Sequence, residues 1–224
     1  WANNGPGSNS FDSPRGVALD ENGHRLFVSD EYGRVLVFDL NSSNELVDYY
    51  ADQVFGRSYS IQGGDVDTSV TSVEDSTALA YDPDGDYLYV ADGNRIMVFH
   101  AGGDTNLAEA SFVLGQSDWT SNGAYGGGAF VAAANNFNGI TDIELDTTND
   151  RLFVADVNSA RILVFDVSNL SSNLNAEYVL GQGDLNSVGV GVAAANNFGF
   201  PTSLTYDETN GRLFVGDGTW NRVL

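Results

Sequence analysis

One fifteen-residue pattern occurs four times along the chain, and it constrains the fold more than any other feature. The copies are GVALDENGHRLFVSD (16–30), ALAYDPDGDYLYVAD (78–92), DIELDTTNDRLFVAD (142–156) and SLTYDETNGRLFVGD (203–217). Each holds two aspartates ten residues apart: Asp20 and Asp30, Asp82 and Asp92, Asp146 and Asp156, Asp207 and Asp217. The second of these anchors recurs after 62, 64 and 61 residues. Spacing this regular marks one supersecondary unit copied along the chain.

Further elements recur in step. RVLVFD (34–39), RIMVFH (95–100), RILVFD (161–166) and RVL (222–224) follow the anchors, and ADQVFGR (51–57), ASFVLGQ (110–116) and AEYVLGQ (176–182) follow in turn. The heptad VAAANNF stands verbatim at 131–137 and 192–198. Each repeat therefore contains four short runs of β-branched, aromatic and aliphatic residues separated by turn residues, which is the signature of four antiparallel strands. The strands fall around 16–20, 25–29, 34–39 and 50–56 in the first copy. Helical periodicity is missing, and the Ala/Asn stretch at 131–136 is too short to propagate a helix. Four-stranded units copied around an axis are the blades of a β-propeller. The expected fold is thus all-β, a single propeller domain over 1–224. Its blades lie at about 11–57, 73–116, 137–182 and 198–224, the fourth incomplete, with long connections at 58–72, 117–136 and 183–197.

The order of elements also resembles a known family. Pro14 or Pro201, a first strand, Asp, a turn, an RLFVAD-type strand, a loop and then R-I/V-L-V-F-D resemble the NHL repeat. The VLGQ strand followed by a Gly/Asn-rich loop is similar to the long-repeat NHL proteins of bacteria and archaea. The resemblance covers nearly the whole chain and implies a ring of about six blades. The expectation is that the chain forms part of a larger ring, or that another chain closes its open blade edges. The resemblance leaves function open, because propellers host lyases, hydrolases and binders of protein, glycan or RNA.

Charge narrows the classes. The 224 residues carry 31 Asp and Glu against 9 arginines and no lysine, a net charge of −22. Nucleic-acid binding needs phosphate neutralisation by basic side chains, so nucleic acid is excluded as a partner. An anionic membrane surface is disfavoured on the same ground, and no apolar run is long enough to insert into a bilayer. The absence of cysteine excludes thiol catalysis and Cys-ligated zinc.

Candidate residues sort by whether they repeat. Asp30, Asp92, Asp156 and Asp217 each precede a loop and an arginine, Arg34, Arg95, Arg161 and Arg222. A pair present in every blade reads as a structural anchor, the carboxylate accepting loop N–H groups and the guanidinium completing the charge pairing. Asp82, Asp84 and Asp86 look like part of a calcium loop, or like an ordinary turn, since the sister hairpins lack that charge. His24 and His100 are too far apart in the repeat frame for the multi-His zinc site of the amidating lyases that share this propeller type. Asp142 and Glu144 break the repeat: they stand where the other copies have Gly16 and Ala18, Ala78 and Ala80, Ser203 and Thr205. On an innermost strand they are placed to ligate calcium or serve as a general base, or else to hydrogen-bond neighbouring loops or pair with an arginine. No cofactor is otherwise implied.

Strand parity puts the long connections and the loops after the anchors on one face. That face carries Tyr32, Tyr59, Trp119, Tyr125 and Trp220, suited to stacking on a sugar or a protein partner, or to plugging the grooves between blades. Two glycosylation sequons begin at Asn41 and Asn169 and fall on the opposite face. From these features the expected function is an extracellular or cell-surface, non-catalytic propeller. It would bind protein, glycan or copies of itself, or serve as a structural module. The competing expectation is a lyase or calcium-dependent hydrolase centred on the channel around Asp142 and Glu144.

Overall fold

A computed structural model describes residues 8–56, 70–103, 108–127 and 131–224. Within them fifteen strands form four antiparallel sheets joined in chain order. The first blade holds β1 (Val17–Asp20), β2 (Arg25–Asp30), β3 (Arg34–Asp39) and β4 (Gln53–Gly56). The second holds β5 (Ser76–Asp82), β6 (Tyr87–Asp92), β7 (Arg95–His100) and β8 (Phe112–Leu114). The third holds β9 (Ile140–Asp146), β10 (Arg151–Asp156), β11 (Arg161–Asp166) and β12 (Tyr178–Leu180). The fourth holds β13 (Pro201–Asp207), β14 (Arg212–Asp217) and β15 (Arg222–Val223). This is the expected all-β propeller of four blades, the last with three strands. No helix among the described residues is long and apolar enough to cross a membrane.

The register reproduces the sequence repeat. Asp20 pairs with Arg25, Asp82 with Tyr87, Asp146 with Arg151 and Asp207 with Arg212, so each first anchor ends the innermost strand. Four residues beyond each lies a backbone in the left-handed region: His24 (φ 56°), Asp86 (φ 53°), Asp150 (φ 52°) and Gly211 (φ 63°). Such a position closes a short hairpin and favours Gly, Asn, Asp or His.

Blades pack face to face through aliphatic and aromatic side chains. Phe27, Val35 and Phe55 of the first blade meet Leu88, Val90 and Phe99 of the second. Tyr89, Ile96 and Val98 of the second meet Leu152, Val154 and Leu163 of the third. Phe153, Ile162 and Val164 of the third meet Leu204 and Val215 of the fourth. Each strand thus alternates between the face toward the preceding blade and the face toward the next. The innermost strands pack in the order β1, β5, β9, β13, and among the described residues no comparable packing returns from β13 to β1.

The verbatim heptad has a structural task. Gly115 (φ +89°) and Gly181 (φ +88°) end the fourth strands, and a Cβ on either would lie 2.3 Å from the ring of Phe137 or Phe198, the last residue of each heptad. Only glycine satisfies both the backbone and the ring. Asn136 and Asn197 fold the heptad by accepting the N–H of Ala133 and Ala194 through their side-chain oxygens.

Candidate functional site

The carboxylates that break the repeat lie side by side on β9, half-buried and facing the fourth blade. Asp142 accepts the N–H of Leu204 at 2.7 Å through one oxygen and that of Ile143 at 3.0 Å through the other. Glu144 accepts the N–H of Tyr206 at 3.1 Å through Oε1, and its Oε2 has no partner among the described residues. These two side chains therefore satisfy the outward N–H groups of the next innermost strand, a role that alanine at 78 and 80 cannot fill.

Their electrostatics set them apart. Burial pushes the Asp142 carboxyl above its ordinary value, outweighing the two N–H donors. Burial also raises Glu144, against the Tyr206 N–H, and the nearby charges of Asp142 and Glu208 raise it further. On the same strand Asp146 goes the other way: burial is overcome by hydrogen bonds from Tyr206 and Asn149 and by Arg151, and the carboxyl is held below its usual range. Neighbouring carboxyls driven in opposite directions are the arrangement from which acid–base roles arise.

The anchors form four clamps, the first three fully buried and the fourth with its arginine partly exposed. Arg34 meets Asp30 at 3.0 Å, Arg95 meets Asp92 at 2.8 Å, Arg161 meets Asp156 at 2.7 Å and Arg222 meets Asp217 at 3.3 Å. The aspartates also accept main-chain N–H groups of the connection entering the blade, from Asp12, Glu74, Asn138 and Gly199. The arginines donate to carbonyls of that connection, at Ser10, Ser72, Asn136 and Asn197. Arg95 and Arg161 reach on to the carbonyls of Trp119 and Leu185 in the connection that leaves the blade.

The described loop-face aromatics are half-buried and engaged. Tyr32 and Trp220 lie against the guanidiniums of Arg34 and Arg222, with 5.2 and 4.5 Å from carbon to ring centre. Trp119 packs on the core between the first two blades, and the Tyr125 hydroxyl accepts from Asn138. Tyr59 lies outside the described residues. Asn41 and Asn169 are exposed between the third and fourth strands of their blades. In the second blade's first hairpin, Asp86 binds Arg25 at 2.7 Å and Asp82 accepts the N–H of Asp84. No cluster of three or more His, Cys, Asp or Glu that could hold a metal occurs among the described residues.

Two elements escaped sequence reasoning. Tyr81 and Tyr206 occupy one repeat position, and each sends its hydroxyl into the hairpin chemistry that joins blades. Tyr206 donates to Asp146 of the preceding blade at 2.7 Å, and Tyr81 donates to Asp86 while accepting from Arg25 of the preceding blade. Gln116 and Gln182 tie the fourth strands to loop carbonyls at Asn94 and Ala160. Recurrence of Tyr and Gln at fixed positions was the available signal.

No protein-family model matches the sequence, and no curated protein matches it. Solved structures do: 723 chains share the arrangement, so the fold is common and does not by itself define a chemistry. One is the crystal structure of a candidate 6-phosphogluconolactonase from Bacteroides fragilis NCTC 9343, with a TM-score of 0.56 and 14% identity over 94% of this chain and 49% of that one. The chain spans about half the length of that solved relative. This comparison corrects the expectation of an extracellular, non-catalytic interaction module: the same blade arrangement occurs in a protein described as an enzyme. The physical reason is visible in the described aromatics on which that expectation leaned: Tyr32 and Trp220 lie on arginines, Trp119 packs on the core between the first two blades, and Tyr125 accepts from Asn138.

Proposed function

We propose that this propeller arc belongs to an enzyme that hydrolyses a small molecule at its axial channel, with Glu144 as the acid–base group and Asp142 as the neighbouring carboxyl whose charge raises it. The observation that carries this reading is Glu144 itself: a half-buried carboxyl on an innermost strand, raised above its ordinary range, with Oε2 uncommitted and no cation in contact. A carboxylate of raised pKa is the stronger base. It would take a proton from water as the water oxygen attacks an acyl carbon, and return that proton to the departing alkoxide. The solved relative's description as a candidate lactonase supports this reaction class.

The substrate of that relative is not carried over. Seven of the eight described arginines are held in ion pairs with Asp or Glu, which leaves a phosphate little to bind in a chain of net charge −22. An uncharged ester or lactone fits better. The NHL-type reading of the repeat and a ring of about six blades belong to the same proposal, supported by the four copies of the R-L-F-V/Y-L-Y-V…D, R-I/V pattern. No step runs through calcium.

The test is hydrolysis of a panel of uncharged lactones and esters. Glu144→Gln should lower kcat by about 10²- to 10⁴-fold. The ascending limb of kcat/KM with pH should lie above the ordinary carboxylate value of about 4.3. Full turnover by Glu144→Gln would sink the assignment.

A further inference from the structure

Each innermost strand turns two main-chain N–H groups away from its own blade, because alternate residues of an antiparallel edge strand leave the ladder. In β13 these belong to Leu204 and Tyr206, and Asp142 and Glu144 take them. The same repeat positions are Ile143 and Leu145 in β9, and Leu79 and Tyr81 in β5. A Cβ on Gly16 would lie 3.0 Å from the Leu79 nitrogen. The residue at the position of Gly16, Ala78 or Asp142 therefore stands over the first N–H of the next blade. That at the position of Ala18, Ala80 or Glu144 stands over the second.

The donors of β9 do not share one fate. Ile143 finds an acceptor in the Asp142 carboxylate of its own strand. Leu145 has Ala80 over it, whose side chain carries no acceptor, and its N–H has no partner among the described residues. Of the outward donors on β9 and β13, Asp142 and Glu144 thus take all but the one next to Glu144 itself.

We infer that the Leu145 N–H holds the carbonyl oxygen of the acyl substrate, and that the site accepts uncharged lactones and esters while turning carboxylates away. This rests on the reading of Glu144 as the acid–base group. As the water oxygen attacks the acyl carbon, Glu144 takes its proton and the carbonyl π pair moves onto the oxygen at Leu145. When that pair returns, the bond to the alkoxide breaks, and the alkoxide takes the proton back from Glu144. A preorganised main-chain donor stabilises the charge where it develops. The same donor is uncharged, so it does not offset the repulsion of a carboxylate product by Asp142 and Glu144.

Heteronuclear NMR of the isotope-labelled chain tests the contact, with δ-valerolactam as a carbonyl probe that resists hydrolysis. The Leu145 amide resonance should move saturably with the lactam and stay in place with valerate. Ala80→Glu copies the Glu144–Tyr206 arrangement one blade earlier and should fill the donor. It should abolish the lactam response and lower kcat on the lactone panel by about 10²- to 10³-fold. Should that variant misfold, the response of the parent chain still decides. Glu144→Gln should lose turnover while the lactam still moves Leu145, which separates failure of the acid–base reading from failure of this one. An unmoved Leu145 amide, an equal response to valerate, or full turnover by Ala80→Glu would each overturn the inference.

Discussion

The junction between the second and third blades and the junction between the third and fourth are drawn from one repeat, yet they are finished differently. In the first, Ala78 and Ala80 bring the innermost strands together through small apolar side chains, and the outer end is sealed by Leu170 and Leu174. In the second, Asp142 and Glu144 bond to main-chain N–H groups of the fourth blade at the inner end. The difference separates what the scaffold requires from what it tolerates. Alanine suffices to build a junction, so two half-buried carboxyls at the other are a departure that needs a chemical reason.

The anchors offer the largest effect with which to break this comparison. Asp156 and Arg161 are both fully buried, so Asp156→Ala leaves an uncompensated guanidinium and should cost about 3–5 kcal/mol in denaturant unfolding. In the fourth blade the Arg222 side chain is 23% exposed, and Asp217→Ala should cost less, about 1–3 kcal/mol. Equal losses would show that the two junctions share one stability. Apolar truncation comes next. Leu163 is fully buried between the second and third blades, and Leu163→Ala should cost about 2–5 kcal/mol; half-buried Leu213 in the fourth blade should cost under half of that when cut to Ala. Reversal of that order would invert the contrast.

The smallest effect is a titration. Asp142 and Glu144 have folded-state values raised by burial, so the folded state holds their protons more tightly than the unfolded chain does. Their contribution favours folding on the acid side and fades as pH rises through the raised values. The Asp142→Asn, Glu144→Gln double variant lacks this dependence. Its stability relative to the parent should therefore improve steadily between the ordinary carboxylate range, about 4, and neutrality. Parallel stability curves would mean that both carboxyls are well hydrated.

Much of the scaffold was legible because it is written four times. The ten-residue spacing of Asp20 and Asp30 and of their copies placed the hairpins, and the Asp–Arg pairs were recognisable as anchors from recurrence alone. Asp142 and Glu144 stood out because they depart from the pattern. Their partners did not, since the N–H groups of Leu204 and Tyr206 lie about sixty residues away across a blade junction, and main-chain donors leave no mark in a sequence. The acidic hairpin at Asp82, Asp84 and Asp86 was open to two readings, an ordinary turn or part of a calcium loop. The left-handed backbone at residue 86 calls for a small polar residue, and Asp86 then pairs with Arg25 of the preceding blade. VAAANNF was conspicuous as a duplicate, but its task depended on Gly115 and Gly181, whose positive φ no local pattern reveals.

The clamp arginines bear on how such a chain can change. Each reaches the flanking connections through carbonyl oxygens, at Ser10, Ser72, Asn136 and Asn197 on entry and at Trp119 and Leu185 on exit. A carbonyl is the same whatever side chain it carries. The framework is therefore blind at those points to the spelling of the loops it displays, and the loop face can be rewritten while the blades beneath it keep their place.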